Sequence, residues 1–260
     1  MRGIDKSGVL ITGGCGDIGL AVAGRFLEAG ARVVLVDRIP AGRGRAMVGK
    51  RLGSSNATYV SCDVTRAASV DTAFAAAMKF LGRLDTVICN AGIALNEPFL
   101  SVTEKAWAST LAVNLTGSFF TAQRAARLMR KNRRRAGGRR GTILFTGSWV
   151  QDMPFPNGTS YCTSKAGQQM LAKVMAQDLA SDGINVSLVA PGMVYAGLTK
   201  SIYDKNKKFA KLIDKTVPLG RMCTAEEVAG SFLFLASDDG SYVTGTSLLI
   251  DGGATLVRRD

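Results

Sequence analysis

Two side chains with complementary proton chemistry stand four residues apart, Tyr161 and Lys165. On a helix this spacing puts both on one face, where an ammonium can stabilise a phenolate. A phenol has an ordinary pKa near 10, so it acts as a base near neutral pH only when cations lower that value. Ser148 precedes the pair in the chain. The spacing of Tyr161 and Lys165 alone also fits an ordinary helix surface, so its meaning depends on the elements that position these residues.

The residue types that are missing narrow the chemistry further. The chain of 260 residues contains no histidine, which excludes Ser-His-Asp and Cys-His nucleophiles and every zinc site that needs an imidazole. Five cysteines are scattered without a C-x-x-C pair, a usage typical of free thiols in a reducing compartment. We therefore expect no metal site and no disulfide framework.

Short apolar runs alternate with segments of helical periodicity. The runs are typical of strands buried on both faces of a parallel sheet: Val9–Thr12, Arg32–Val36, Thr58–Cys62, Thr86–Cys89, Thr142–Thr146, Asn185–Val189 and Ser247–Ile250. The predicted helices include Ile18–Ala29, Ser69–Leu81, Glu104–Arg130, Ser160–Ala180 and Ala225–Ala236. Alternation of this kind predicts an α/β fold, a Rossmann-type doubly wound parallel sheet of seven strands. Without an internal repeat or a biased linker, residues 1–260 are expected to form a single domain.

Helix starts are marked by capping-box patterns. Ser101 precedes Glu104 by three residues, and Thr224 precedes Glu227 by three. Ser148 comes directly after the predicted strand Thr142–Thr146. Because ligands bind at the carboxyl ends of parallel strands, Ser148 is expected at the mouth of the cleft.

A glycine-rich turn, Thr12–Gly19, joins the first predicted strand to the first helix. Backbone N–H groups and the positive end of a helix in this arrangement can receive a diphosphate, although glycines alone also fit a tight packing turn. The next strand is followed by Asp37, where a carboxylate can accept hydrogen bonds from the ribose hydroxyls of NAD. Asp37 would repel a 2′-phosphate, so it favours NAD over NADP, whereas Arg38 could pair with that phosphate. Asp37 also fits a solvated residue at a strand end.

Other motifs follow the predicted strands in a fixed order. They are Asp63-Val64, Asn90-Ala91-Gly92, Asn114, Ser148, Tyr161-x-x-x-Lys165, Pro191-Gly192 and Asp251-Gly252-Gly253. Together with the glycine turn, they resemble the short-chain dehydrogenase/reductase family over essentially the whole chain. The resemblance implies a nicotinamide-dependent oxidoreductase that acts on CH–OH groups.

The resemblance also implies roles for individual residues. Tyr161 would take the alcohol proton during oxidation, Ser148 would hydrogen-bond the substrate oxygen, and Lys165 would lower the pKa of Tyr161 and hold the nicotinamide ribose. Asn114 would bind a water that connects Lys165 to solvent. The cofactor contacts would come from Gly13, Gly16, Asp17, Ile18, Gly19, Asp37, Arg38, Asp63, Val64, Asn90, Ala91, Gly92, Tyr161, Lys165, Pro191, Gly192 and Val194.

Some positions depart from the family pattern. Asp17 stands where the family most often has a glycine, which brings a negative charge near the diphosphate. Ala196 replaces a common threonine, so Thr199 or backbone groups would contact the carboxamide. Substrate choice is expected to depend on a lid at about residues 193–217, with Trp149, Met153, Tyr195 and Tyr203 as a candidate apolar or sugar-stacking wall. Polyols, sugars and other small secondary alcohols are the expected substrates.

The net charge of +13 is concentrated in one segment. Nine basic residues and no acidic residue lie between Arg124 and Arg140, and residues 131–140 are predicted to form an exposed basic turn. A solvated helix end explains this segment, but so does docking of an acidic carrier protein by an NADPH-dependent enzyme similar to a 3-oxoacyl-carrier-protein reductase. A non-catalytic regulator that binds NAD or nucleic acid is a third alternative, opposed by the intact Asn114, Ser148, Tyr161 and Lys165.

The composition predicts the cellular location of the protein. No window approaches 18 consecutive apolar residues, and residues 1–6 do not resemble a secretory signal. We expect a soluble cytoplasmic protein without a membrane span. The family resemblance implies a homotetramer.

Overall fold

Seven strands form one parallel sheet in the computed structural model, which describes residues 1–256 apart from the side chains at positions 136, 198, 201, 202, 209, 210, 212 and 214. The strand order is β3-β2-β1-β4-β5-β6-β7. The strands are β1 (Gly8–Thr12), β2 (Arg32–Asp37), β3 (Ala57–Ser61), β4 (Thr86–Cys89), β5 (Gly141–Thr146), β6 (Ile184–Pro191) and β7 (Ser247–Ile250). All neighbouring strands pair in parallel. The predicted Rossmann-type doubly wound sheet is confirmed.

Helices connect the strands and cover both faces of the sheet. They are α1 (Asp17–Glu28), α2 (Ala41–Leu52), α3 (Ala67–Leu81), α4 (Glu104–Leu111), α5 (Gly117–Met129), α6 (Thr159–Leu179), α7 (Gly197–Lys205), α8 (Lys207–Thr216) and α9 (Ala225–Ala236). Side chains of α3, α5 and α6 share one buried cluster with the sheet. Side chains of α1, α2 and α9 form the other. The strands are buried on both faces, which explains their continuous apolar sequences.

The structure corrects one predicted helix start and confirms the other. Thr103, not Ser101, caps α4, because the Thr103 hydroxyl accepts a hydrogen bond from the backbone N–H of Ala106 at 3.1 Å. Ser101 ends a short 3-10 turn instead. At α9 the predicted capping box is present, with reciprocal bonds between Thr224 and Glu227.

Three further helical features depart from the sequence prediction. The expected helix over residues 104–130 is interrupted by a π-helical turn, Ala112–Thr116, between α4 and α5. Helix α2 was not predicted, because its sequence is rich in glycine and arginine and lacks apolar periodicity. Residues 193–217, which were predicted to form a lid, contain the two short helices α7 and α8, whose bounds the sequence did not predict.

The basic segment is not the uniformly exposed turn that was predicted. The Arg139 side chain is 4% exposed and bonds the carbonyl of Ser237, while Arg135 and Arg83 both pair with the buried carboxylate of Asp85. Asp85 also accepts a hydrogen bond from the backbone N–H of Gly8. A buried carboxylate needs such partners, so part of the basic segment stabilises the fold.

The described part of the chain contains no helix that is both long and apolar enough to cross a membrane.

Candidate active site

The predicted site residues meet at the carboxyl edge of the sheet, at the point where the strand order reverses. After β1 the chain runs outward to β2 and β3, and β4 then returns to the other side of β1. Such a reversal opens a crevice between neighbouring loops. The Thr12 hydroxyl accepts bonds from the backbone N–H groups of Asn90 and Ala91, which fixes the loop after β4 against the end of β1.

The side chain of Asn90 is held by hydrogen bonds within this framework. Its amide donates to the carbonyl of Gly13 at 3.0 Å and accepts from the Thr146 hydroxyl at 3.0 Å. The side chain thereby ties together the ends of β1, β4 and β5. Asn90 lines the cavity beside Tyr161, whereas Ala91 and Gly92 line a second cavity beside Asp37.

The cavity beside Tyr161, here called the catalytic cavity, has a volume of about 270 Å³. It contains three of the predicted catalytic residues, Ser148, Tyr161 and Lys165. Ser148 lies two residues after β5, and helix α6 presents Tyr161 and Lys165 from one face. The other described lining residues are Ile18, Asn90, Gly92, Ile93, Ala94, Thr146, Gly147, Pro191, Gly192, Val194, Ala196 and Thr199.

Burial dominates the ionisation of Tyr161. It raises the pKa of the phenol above its ordinary value of 10, and a hydrogen bond with Ser148 only partly offsets the rise. The lowering of this pKa that was assigned to Lys165 and the oxidised nicotinamide ring together stays a prediction for the chain with its cofactor bound. Because burial disfavours the phenolate, the phenol retains its proton until further positive charge is brought into the cavity.

Lys165 is buried, with 4% of its surface exposed, and lies close to Tyr161. Its Nζ is 5.6 Å from the centroid of the phenol ring. The ammonium donates to the carbonyl of Thr146 at 2.6 Å and to Oε1 of Gln168 at 3.0 Å. Burial lowers the pKa of Lys165 to about 8. The group is thus mostly charged at neutral pH and loses its charge in mildly alkaline solution.

Asn114 lies within the π-helical turn and is fully buried. Its amide nitrogen donates to the carbonyl of Ile93 and to Ser164 Oγ, both at 2.9 Å, and its Oδ1 accepts from the Ile93 N–H. Both amide protons are therefore used within the protein. The expected water contact could only be made through an acceptor oxygen of Asn114.

The start of α1 fits the diphosphate of a dinucleotide. Gly16 precedes the helix and provides no side-chain cap, so the first N–H groups of α1 have no capping side chain. A Cβ atom at Gly13 would lie 2.8 Å from the Cα of Ala91, and one at Gly19 would lie 2.5 Å from the carbonyl oxygen of Gly13. Glycine is required at both positions for this close packing.

Asp17, the unusual residue in this turn, points its charge toward the lid. Its carboxylate accepts a hydrogen bond from the backbone N–H of Gly197, the first residue of α7, at 2.7 Å. A carboxylate in the first turn is also favourable for the helix dipole. The residue therefore links the glycine turn to the lid.

The second cavity, here called the adenosine cavity, has a volume of about 360 Å³. It is lined by Asp37 and Arg38 at one end and shares Gly92 and Ile93 with the catalytic cavity. The carboxylate of Asp37 accepts bonds from the N–H groups of Cys15 at 3.2 Å and Arg38 at 2.8 Å. Each oxygen retains capacity for another bond, which fits the two hydroxyls of a ribose.

Asp63 and Val64 also line the adenosine cavity. Hydrogen bonds from Thr65 hold the pKa of the Asp63 carboxyl below its usual range. Val64 packs tightly against α5, because a Cβ at Gly117 would lie 2.8 Å from Val64 Cγ2. The hydrogen bonds of Asp63 and the packing of Val64 therefore fix this turn against the neighbouring helices.

Tyr59 supports the adenosine cavity and was missed in the sequence. Its hydroxyl group contacts the backbone carbonyls of Asp37 and Ile39, at 2.7 and 2.5 Å. These contacts fix the turn that presents Asp37. No local motif marks Tyr59, because it lies on the neighbouring strand β3.

The predicted aromatic wall is absent from the catalytic cavity. Its described lining residues do not include Trp149, Met153, Tyr195 or Tyr203. Trp149 packs with Ile213 and Val217 in an apolar cluster, against which Tyr161 and Tyr203 also pack. Tyr195 bonds Asp204 of α7. Thr199 does line the cavity, as expected if it compensates for Ala196.

Comparison with known proteins agrees with this geometry. A family model described as enoyl-(acyl carrier protein) reductase matches residues 15–255. The chain belongs to the short-chain dehydrogenase/reductase family. Members related to it are oxidoreductases that act on CH–OH groups, and this short-chain dehydrogenase/reductase is an oxidoreductase of the same type.

Similar short-chain dehydrogenases/reductases have different names and substrates. The 3-oxoacyl-[acyl-carrier-protein] reductase MabA of Mycobacterium tuberculosis is 33% identical over 245 residues, which are 94% of this chain and 91% of the relative. D-threitol dehydrogenase of Mycolicibacterium smegmatis is 32% identical over 255 residues, or 97% and 94% of the two chains. A solved 3-ketoacyl-(acyl-carrier-protein) reductase of Brucella melitensis, complexed with NADH, has a TM-score of 0.86 and 27% identity, with coverage of 97% and 99%.

Proposed function

We propose that this protein is an NAD-dependent dehydrogenase of small, neutral secondary alcohols such as polyols or sugars. The observation that carries the proposal is the grouping of Ser148, Tyr161 and Lys165 around one cavity that adjoins a second cavity containing Asp37. NAD, when bound, would accept the hydride from the carbinol carbon. The remaining chemistry is assigned to the chain itself.

Asp37 supports NAD over NADP. Its carboxylate is held by two backbone N–H groups at the end of β2 and lines the adenosine cavity. A fixed negative charge accepts hydrogen bonds from ribose hydroxyls and repels a 2′-phosphate. Arg38 lines the same cavity and supports the alternative.

The charges around the catalytic cavity support a neutral substrate. Among its described lining residues, Lys165 has the only formal charge. Its ammonium donates hydrogen bonds to Thr146 and Gln168 of the protein itself. The described lid lysines do not line this cavity, although Lys200 lies over the ring of Tyr195. We propose that residues 193–217 act as a lid whose basic side chains face solvent.

The catalytic residues divide the proton chemistry. Ser148 would hold the substrate oxygen by a hydrogen bond, and Tyr161 Oη would remove its proton during oxidation or return one during reduction. Lys165 would supply positive charge beside the phenol. Asn114 would hold the backbone of Ile93 through two hydrogen bonds and connect it to Ser164 of α6 through a third, which would keep this part of the site rigid.

A carrier-protein reductase using NADPH is the second candidate. The names of two relatives support the carrier-protein substrate, and Arg38 in the adenosine cavity supports NADPH. A basic docking surface within residues 131–140 has less support, since Arg135 and Arg139 are already paired within the chain. This segment also precedes β5, while Ser148 follows it. Six strand residues separate the two edges by about 20 Å.

A substrate and cofactor screen distinguishes the candidates. For oxidation, the purified chain is assayed on neutral polyols, sugars and cyclic secondary alcohols with either NAD⁺ or NADP⁺. For reduction, it is assayed on 3-oxoacyl thioesters with either NADH or NADPH. Both reactions are followed by the absorbance of the reduced nicotinamide. We expect the highest kcat/KM for a neutral alcohol with NAD⁺. Turnover confined to 3-oxoacyl thioesters with NADPH would instead support the second candidate.

We also propose that the protein forms a homotetramer. Apolar side chains are exposed on consecutive helices, including Trp107 of α4, Phe119 of α5, and Met170 and Val174 of α6. Burial of such side chains between copies would be favourable. Light scattering that gives the mass of one chain would contradict this assembly.

A further inference from the structure

Behind Lys165, a chain of polar side chains runs between α6 and α5. Gln168 and Ser118 are 0% and 4% exposed, respectively. Neither is among the described residues that line the catalytic or adenosine cavity. Buried polar groups are costly unless they are satisfied by hydrogen bonds, so each contact in this chain matters.

The hydrogen bonds run in one direction. Lys165 Nζ donates to Gln168 Oε1 at 3.0 Å, and Gln168 Nε2 donates to Ser118 Oγ at 2.7 Å. Ser118 Oγ then donates to the backbone carbonyl of Asn114 at 2.7 Å. An ammonium can only donate, so the Gln168 oxygen must face Lys165 and its nitrogen must face Ser118. The orientation of every member is therefore determined by its neighbours.

The contact with Gln168 matters because Lys165 forms no salt bridge with any carboxylate in the part of the chain that the structure describes. Burial is the one cause that lowers its pKa. Its ammonium has three protons, of which the Thr146 carbonyl and the Gln168 amide oxygen accept two. The third remains for the catalytic cavity. Two neutral acceptors thus replace the water that a lysine charge would have in solution.

Few other titratable groups face this chain of hydrogen bonds. Tyr161 lies on the same helix as Lys165, and Cys89 of β4 donates its thiol to the carbonyl of Ser118 at 3.8 Å. Burial raises the pKa of Cys89, which keeps this thiol neutral. From the turn before α6, Asp152 instead accepts bonds from Gln169. The Asn114 turn and β5 contribute the uncharged groups already described.

We propose that Gln168, oriented by Ser118, is a positioning residue that keeps the Lys165 ammonium charged and fixed beside Tyr161. The proposal rests on the proposed role of Lys165 in proton transfer. Gln168 itself touches neither cavity, so it acts only through Lys165. Its link to the Asn114 carbonyl couples the ammonium to the π-helical turn through side chains.

The direct test measures the pKa of Lys165 by NMR in the cofactor-free chain. Lysine labelled with ¹³C at Cε is titrated, and the Lys165 signal is assigned by its loss in Lys165→Met. Gln168→Met removes the acceptor while nearly preserving side-chain size. We expect the pKa to fall by about one unit, the scale of one hydrogen bond to a charged group. Gln169→Met on the same helix is the matched control and should leave it unchanged.

The sign of the shift separates this role from simple packing. Gln168→Glu restores an acceptor and adds a negative charge, so it should raise the pKa of Lys165. Ser118→Ala removes the hydroxyl that accepts a hydrogen bond from Gln168. It should lower the pKa of Lys165 by less than Gln168→Met does. An unchanged Lys165 pKa in Gln168→Met, or equal shifts in Gln168→Met and Gln168→Glu, would overturn the proposal. If Gln168→Met does not fold, Gln168→Glu and Ser118→Ala provide the same test.

A second measurement connects the position of Gln168 to turnover. With the best alcohol from the screen, the alkaline limb of the pH profile of kcat should move to lower pH by about one unit in Gln168→Met. Gln169→Met should keep the native profile. A shift of the NMR pKa without any shift of this limb would overturn the link to catalysis. Absence of turnover in the native chain would contradict the proposed function, while the NMR result would still decide the role of Gln168.

Discussion

Replacement of Asp37 by asparagine should reverse the cofactor preference. Asp37→Asn keeps one of the two oxygens that accept bonds from the N–H groups of Cys15 and Arg38, and the hydroxyl of Tyr59 still bonds the backbone carbonyl at position 37, so the turn after β2 should retain its shape. The variant loses the negative charge that the adenosine cavity presents to a ribose. Its thermal unfolding should therefore remain close to that of the native chain, while the binding of the two cofactors changes in opposite directions.

The magnitude follows from the bonds that the carboxylate can make. A hydrogen bond to a charged group contributes about 1.5–3 kcal/mol, so NAD should bind about 10- to 150-fold more weakly. NADP should bind at least about tenfold more tightly, because repulsion of its phosphate is removed and Arg38 remains in the cavity. The ratio of the two dissociation constants should change by about 100-fold or more.

Calorimetric titration with NAD⁺ and NADP⁺ measures this ratio without knowledge of the substrate. Asp63→Asn is a matched control in the same cavity. Asp63 is expected to face the adenine, which both cofactors share, so its replacement should weaken both to a similar extent. Equal effects of Asp37→Asn on NAD and NADP would refute the assignment of the ribose site.

Two predictions concern stability. Asp85→Ala should lower the free energy of unfolding by about 3 kcal/mol, because it leaves Arg83 and Arg135 without their buried partner. The melting temperature should fall by roughly 6–12 °C. Asp71→Ala, at an exposed pair with Arg124, should change the melting temperature little. An equal fall of the melting temperature in Asp71→Ala and Asp85→Ala would contradict a structural role for the basic segment. Glu227, whose pKa is lowered from 4.5 to about 2 by Arg221 and the Thr224 N–H, should contribute stability that is present above pH 4.5 and lost as the pH falls toward 2. Urea unfolding of Glu227→Gln should show a weaker pH dependence in that range, and an unchanged dependence would contradict this contribution.

Local sequence patterns predicted the sheet well. Continuous apolar runs such as Val9–Thr12 marked buried strands because both faces of the sheet are covered by helices. Turn residues after those runs, including Asp37 and Ser148, fell at the carboxyl edge for the same reason. Tyr161 and Lys165 were predictable together because helical spacing places them on one face.

The missed features depend on contacts between residues far apart in the chain. The partners of Asp85 include Gly8 and Arg135, which no local motif connects to it. Gln168 resembles an ordinary polar helix residue until α5 places Ser118 beside it. The Tyr161 pKa could not be predicted either, since it depends on how completely the folded chain buries the phenol.

The most direct measurement compares Tyr161→Phe with the native enzyme on the best alcohol of the screen. Removal of the hydroxyl should reduce kcat by about 10²- to 10⁴-fold, the usual contribution of a general acid or base, while the dissociation constant of NAD⁺ stays nearly unchanged. Tyr195→Phe is the control, because Tyr195 bonds Asp204 and is not among the described residues that line the catalytic cavity. Its kcat should stay at the native value. Turnover by Tyr161→Phe at the native rate would contradict proton transfer by this phenol.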